Sequence, residues 1–387
     1  IPFRKYFVKD MHGKYPFPEA TATTEVLVSG EKKGNQAKLL AVSGLIGGLY
    51  DFCVSTFGWW AEGISTRIMG WGEVLADKMK VVFKVNTGAA VLGLGYIIGL
   101  KYAAIICAGS FTVWFVLIPF ISHFADGQTL AVGEGITVLL RDMTPEQIFS
   151  NYARHIGIGG IAMAGVIGII RSSSIIKQAL GLAVSELGGK KKGDGVVERT
   201  QRDISMKFIL SGIISVLIAT FVFFQFGVLG NLTHTIIATL IVFVISFLFT
   251  TVAANAIAIV GSNPVSGMTL MTLILSSLVL VSAGLSGTSG MMAAMIIGGV
   301  VCTALSMAGG FITDLKIGYW LGTTPARQEG WKFLGTAVSA ATIAGVMMVL
   351  NQTYGFVGEN ALVAPQANAM AAVIKPLMEG GATPWLL

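Results

Sequence analysis

The sequence predicts an all-α, polytopic helical membrane protein, and two observations carry that reading. Over half of the 387 residues are apolar and only 12% are charged, giving a mean hydropathy of +0.76. The apolar residues also fall in long uncharged runs of about 17 to 25, the length of a helix that crosses a hydrocarbon core. A water-soluble helix would carry charges every turn or two. Barrel strands would be about 10 residues long with strict alternation, and no such segment is found, so spanning strands are not expected. The expected architecture is a single transmembrane domain over 1–387 with about nine full spans. Two Pro-started helices join them, either crossing or re-entering, and imply an internal repeat.

The elements follow in order. Residues 1–16 are too polar to span and lead into a Pro-Glu-Ala helix that ends near Gly30. The first long span runs from Lys38 to about Phe57 and contains Asp51, an intramembrane carboxylate and therefore a functional candidate. Trp59, Trp60 and Trp71 mark an interfacial segment through Lys84, because indole rings favour the membrane boundary. The apolar stretch from Val85 to Ser122 is too long for one crossing and is split around Lys101. Within it, Gly95 and Gly99 permit close helix packing. After a polar loop over 123–150, a Gly-rich span covers Tyr152 to Ile170, with Arg154 and His155 at its mouth.

The connection over 171–207 is the most basic part of the chain, with Lys190, Lys191 and Lys192 at its centre. The positive-inside bias makes it cytoplasmic, and the net charge of +6 is better explained by such loops than by nucleic acid. Spans at Lys207–Val228, Thr233–Ala254, Ser266–Ala283 and Met291–Ala308 come next. The link from Gly261 to Gly267 interrupts them with Asn263 and Pro264, and irregular backbone at membrane depth survives only when buried in protein or lining a wet cavity. Residues 309–330 read as too polar to cross. A last span, Phe333 to Leu350, precedes the second Pro-started helix. The chain is expected to be incomplete at both ends.

The two Pro-started helices are near copies. Residues 17–27 begin Phe17-Pro18-Glu19-Ala20-Thr21-Ala22, and residues 364–374 begin Ala364-Pro365-Gln366-Ala367-Asn368-Ala369. A helix that starts on proline leaves its first amides free, and such mouths attract anionic groups. Cys53, Cys107 and Cys302 are far apart and read as small buried hydrophobes, so no metal site and no cofactor are expected.

Four ordered motifs carry a resemblance over nearly the whole chain. They are Tyr15-Pro16-Phe17-Pro18-Glu19-Ala20-Thr21-Ala22, Asn263-Pro264-Val265-Ser266-Gly267, the run from Asp314 to Pro325, and Ala364-Pro365-Gln366-Ala367. Together they resemble the oligopeptide transporter superfamily in its bacterial form. That resemblance implies a secondary transporter of the cytoplasmic membrane, thought to be proton-coupled, moving small peptides. In the yellow stripe-like branch the cargo is instead a metal chelated by amino-acid-like or siderophore-like ligands.

Peptides and chelates both carry carboxylates, which suit helix N-termini, and amines, which suit Glu, Gln or bare carbonyls. The substrate residues expected are therefore Pro18, Glu19, Asn263, Pro264, Pro365, Gln366 and Asn368, facing a shared hydrated chamber. Glu25 is the first choice for proton coupling, two turns into a small-residue helix where a carboxylate short of water readily binds a proton. Asp51 is the second. Asp314 and Lys316 are read as a cytoplasmic gate or a structural pair. The partners implied are a peptide or metal-chelate substrate, protons and the lipid bilayer, with a homo-oligomer left open. An enzyme would need a nucleophile, base or metal cluster, and no such motif is present. A channel or structural membrane subunit stays open as the alternative of another class.

Overall fold

The computed structural model describes residues 4–31, 35–124, 139–171, 173, 198–261, 263, 265–356 and 365–379. They are overwhelmingly helical, as the hydropathy requires. The chain opens with a π-helical turn, Lys5–Asp10. Then come α1 (Pro18–Glu31), α2 (Asn35–Phe52), β1 (Gly63–Ser65), α3 (Gly70–Met79), β2 (Lys84–Asn86), α4 (Ala89–Ile98), α5 (Leu100–Phe111), α6 (Ile118–Phe124), α7 (Pro145–Ile148) and α8 (Arg154–Arg171). The remainder is α9 (Met206–Phe223), α10 (Leu232–Val260), α11 (Val265–Ser282), α12 (Gly287–Leu321), α13 (Pro325–Thr353) and α14 (Pro365–Glu379). Among the described residues, six stretches are long and apolar enough to cross a membrane, and α4 and the apolar part of α11 are shorter apolar helices.

The chain divides into two compact units. The Pro18 unit takes residues 16–163 with 259–261, and the Pro365 unit takes 4–15, 164–258 and 263–379 among the described residues. In the Pro365 unit α11 packs on α12 and on α14, with α12 also touching α14. Close approach is licensed by small residues. A Cβ on Gly298 of α12 would sit 2.4 Å from Leu273 Cδ2 of α11, so glycine lets that leucine pack against backbone. Phe249, Leu273, Ile297, Val301 and Ile374 are buried in the resulting core. In the Pro18 unit a smaller core gathers Ile118, Leu140, Ile148 and Tyr152. Outward faces of α2, α9 and α13 leave Leu39, Val216 and Met348 exposed, faces that need an apolar solvent.

The structure adds detail in two segments that the sequence left coarse. The interfacial segment holds a short antiparallel ribbon, with Gly63 opposite Asn86 and Ser65 opposite Lys84. Three residues per strand are too few for alternation to reveal them. The stretch over 309–330, read as too polar to cross, is helical on both sides of a short turn, since α12 continues to Leu321 and α13 starts at Pro325. Its polar side chains find partners inside the protein, as set out below. The break placed around Lys101 falls at Gly99, whose φ of +85° ends α4. Lys190, Lys191, Lys192 and Pro264 lie outside the described residues.

Candidate functional site

The mouth of α1 is held by an unusual backbone. Phe17, buried with 1% exposure, has φ of +43°, a region that costs a residue with a Cβ about 1–2 kcal/mol. Its carbonyl accepts from the Thr21 amide at 2.9 Å and from Thr21 Oγ1 at 3.0 Å, so the first turn closes on it. The Pro18 ring lies against Gly261, where a Cβ would stand 2.7 Å from Pro18 Cγ. Two features singled out in the sequence, the first Pro-started helix and the Gly261 break, thus meet. Glu19 and Glu25 are both exposed on α1. Asp51 caps α4, its carboxylate accepting from the Ala89 amide at 2.8 Å and the Ala90 amide at 3.3 Å, as a helix N-terminus favours.

In the Pro365 unit, Asn263 ties the break to α12. Its Nδ2 donates to the Leu305 carbonyl at 3.1 Å, while its Oδ1 is buried with no partner among the described residues. Gly309 makes room for it, since a Cβ there would be 2.3 Å from Asn263 Nδ2 and 2.4 Å from Ile257 Cδ1. Gly309→Ala is accordingly expected to break the Asn263 bond and destabilise by about 1–3 kcal/mol, read as a lower denaturation midpoint of purified protein. An unchanged midpoint would place Asn263 elsewhere. Pro365, Gln366 and Asn368 occupy the first turn of α14, and their side chains are outside the described set. Further along α14, Val373, Ile374 and Met378 are buried.

Asp314 and Lys316 are not partners, which corrects the pair reading. Two residues apart on a helix, they point to different faces. Asp314 accepts from Lys332 Nζ of α13 at 2.7 Å. Lys316 is fully buried; its Nζ donates to the Val8 carbonyl at 2.8 Å and stands 3.0 Å from His12 Nδ1. The same ammonium lies 5.2 Å from the ring centroids of Tyr319 and Trp320, a cation–π setting.

The turn between α12 and α13 is a second polar assembly. Gly322, at φ of +70°, ends α12, and the Thr323 amide returns to the Gly318 carbonyl at 2.8 Å, closing the helix end. Arg199 donates to Thr324 Oγ1 at 3.0 Å and to the Gly322 carbonyl at 2.9 Å. The Ala326 amide donates to the Arg202 carbonyl at 3.0 Å. Arg4, 2% exposed, pairs with both oxygens of Asp203, one bond being 2.9 Å. Glu329 of α13, 1% exposed, accepts from the Ile204 amide at 2.8 Å. Sequence reasoning missed Glu329, because Ala326-Arg327-Gln328-Glu329 reads as an ordinary charged helix start.

A cavity of about 720 Å³ lies in the Pro18 unit, walled by Phe83, Phe111, Trp114, Phe115 and Phe149 with Glu146 at its edge. None of the residues expected from the sequence lines it. Among the described residues, no group of three or more His, Cys, Asp or Glu is placed to hold a metal ion.

Comparison with known proteins bears on the family of the chain. A curated protein named "Putative oligopeptide transporter" from Haemophilus influenzae is 25% identical over 404 residues, covering 96% of this chain and 61% of that protein. The chain therefore spans about three-fifths of the length of that relative. No solved structure matches it. The family profile described as OPT oligopeptide transporter protein matches residues 1–387. Matched from end to end by that profile, the chain belongs to the OPT oligopeptide transporter family.

Proposed function

We propose that the protein is a secondary active transporter that takes up small oligopeptides across the cytoplasmic membrane, driven by protons. The observation that carries this reading is the family match over the whole chain. The helix mouth at Pro18 and Glu19, the first turn of α14 with Gln366 and Asn368, and the break at Asn263 and Pro264 are the groups assigned to substrate. Helix N-termini suit a peptide carboxylate. The buried Asn263 Oδ1, with no donor among the described residues, suits an amine or amide N–H, since a buried acceptor without a donor is costly to maintain. Asp51 has both oxygens engaged at the start of α4, so Glu25, exposed on α1, is the first coupling residue to test.

The test is uptake by proteoliposomes of a labelled tripeptide and of an iron chelate, with and without an inward pH gradient. Accumulation of the tripeptide only with the gradient is expected. Accumulation of the chelate alone would assign the metal-chelate branch, and uptake that ignores the gradient would remove the symport mechanism. Glu25→Gln is expected to abolish gradient-driven accumulation while leaving exchange; unchanged accumulation would take Glu25 out of the coupling role.

A further inference from the structure

Glu329 is a buried carboxyl group with an incomplete set of partners. Its Oε2 accepts from the Ile204 amide at 2.8 Å, whereas its Oε1 is buried with no hydrogen-bond partner among the described residues. The charged groups facing it among the described residues are Arg4, from the N-terminal segment, and Asp203, from the 198–204 connection. Arg4 is already committed, because it binds both oxygens of Asp203. Lys332, three residues further along α13, is held by Asp314. A buried anionic oxygen without a donor is costly, and a proton placed on that oxygen removes the charge and supplies the missing hydrogen.

We propose that Glu329 is a proton-binding residue, taking up and releasing a proton at Oε1 as the 198–204 connection seats on and leaves the start of α13. The connection is held in its seat by backbone and side-chain bonds. Its bonds to α13 and to the turn before it are the Arg199 contacts with Gly322 and Thr324, the Arg202 carbonyl with the Ala326 amide, and the Ile204 amide with Glu329. Lifting the connection removes the Ile204 donor and opens the carboxyl to water, where its ionised form is hydrated. Closing it favours the neutral acid. The proton is exchanged with bulk water, and no other bond is made or broken. A role for this proton in driving transport rests on the proton-coupled reading above; proton binding by Glu329 does not.

The experiment is difference infrared spectroscopy of the full-length transporter in lipid, titrated with acid. A protonated-carboxyl stretch is expected that titrates in the wild type, is absent in Glu329→Gln, shifts in Glu329→Asp and persists in Glu25→Gln. Glutamine keeps an oxygen for the Ile204 amide, so loss of the band without loss of fold is the expected pair of results. Should Glu329→Gln be poorly folded, the shifted band of Glu329→Asp decides the assignment. A wild-type spectrum with no titrating band, or a band that survives unshifted in both Glu329 variants, overturns the proposal. If the band behaves as expected and uptake ignores the pH gradient, the symport reading fails while Glu329 stands as a proton-binding group.

Discussion

Gly261→Ala is expected to lower the thermal midpoint of the purified protein and to stop uptake, through two separate costs. The first is backbone. Gly261 sits at φ of +81°, where a residue with a Cβ is strained by about 1–2 kcal/mol. The second is space, because the new methyl would lie 2.7 Å from Pro18 Cγ, and overpacking of that kind costs about 1–3 kcal/mol. Pro18 is the first residue of α1 and follows Phe17 in its left-handed conformation, so the ring has little freedom to yield. Adding Pro18→Ala to Gly261→Ala is expected to recover the spatial part and leave the backbone part. A double mutant as unstable as the sum of the single changes would show that the two residues do not touch, since contacting residues are non-additive.

What the sequence made legible divides along physical lines. Spans were readable because each apolar run must satisfy its backbone locally, so hydropathy alone marks it. The break after α10 was readable from Gly261 and Asn263 for the same reason, since glycine and the residues around it cannot carry a helix through. The Gly99 break was found through the nearby Lys101, a charge that interrupts the run two residues late. Legibility ended where polar groups are satisfied by distant partners. Lys316 reads as a gate or pair with Asp314, and its acceptor, the Val8 carbonyl, is 308 residues away. Asp51 reads as an intramembrane carboxylate, and its donors, 38 and 39 residues later at the start of α4, are not visible from its neighbours. Glu329 gave no signal at all, because its burial depends on Ile204 and on a turn whose geometry only the fold supplies. Local chemistry is written in neighbouring residues; long-range satisfaction is not.

Breaking the Arg4–Asp203 pair is the change expected to unseat the 198–204 connection. Asp203→Ala would leave Arg4, with a side chain 2% exposed, without the carboxylate it binds, and stranding one partner of a buried pair costs about 3–5 kcal/mol. Because the Asp203 side chain is 31% exposed, water shares part of that load and the lower end of the range is expected. The connection itself would report the loss as faster amide hydrogen exchange at Ala326, whose amide donates to the Arg202 carbonyl, with little change in α9. Replacing both members, Arg4→Met with Asp203→Leu, removes the stranded charge as well as the attraction, and such swaps are often neutral or stabilising. Stability near the wild type in the double variant, set against a weak Asp203→Ala, therefore separates a buried pair from a surface one. If Asp203→Ala is itself neutral, Arg4 reaches water without its partner, and the tight seat described around Glu329 loses one of its walls.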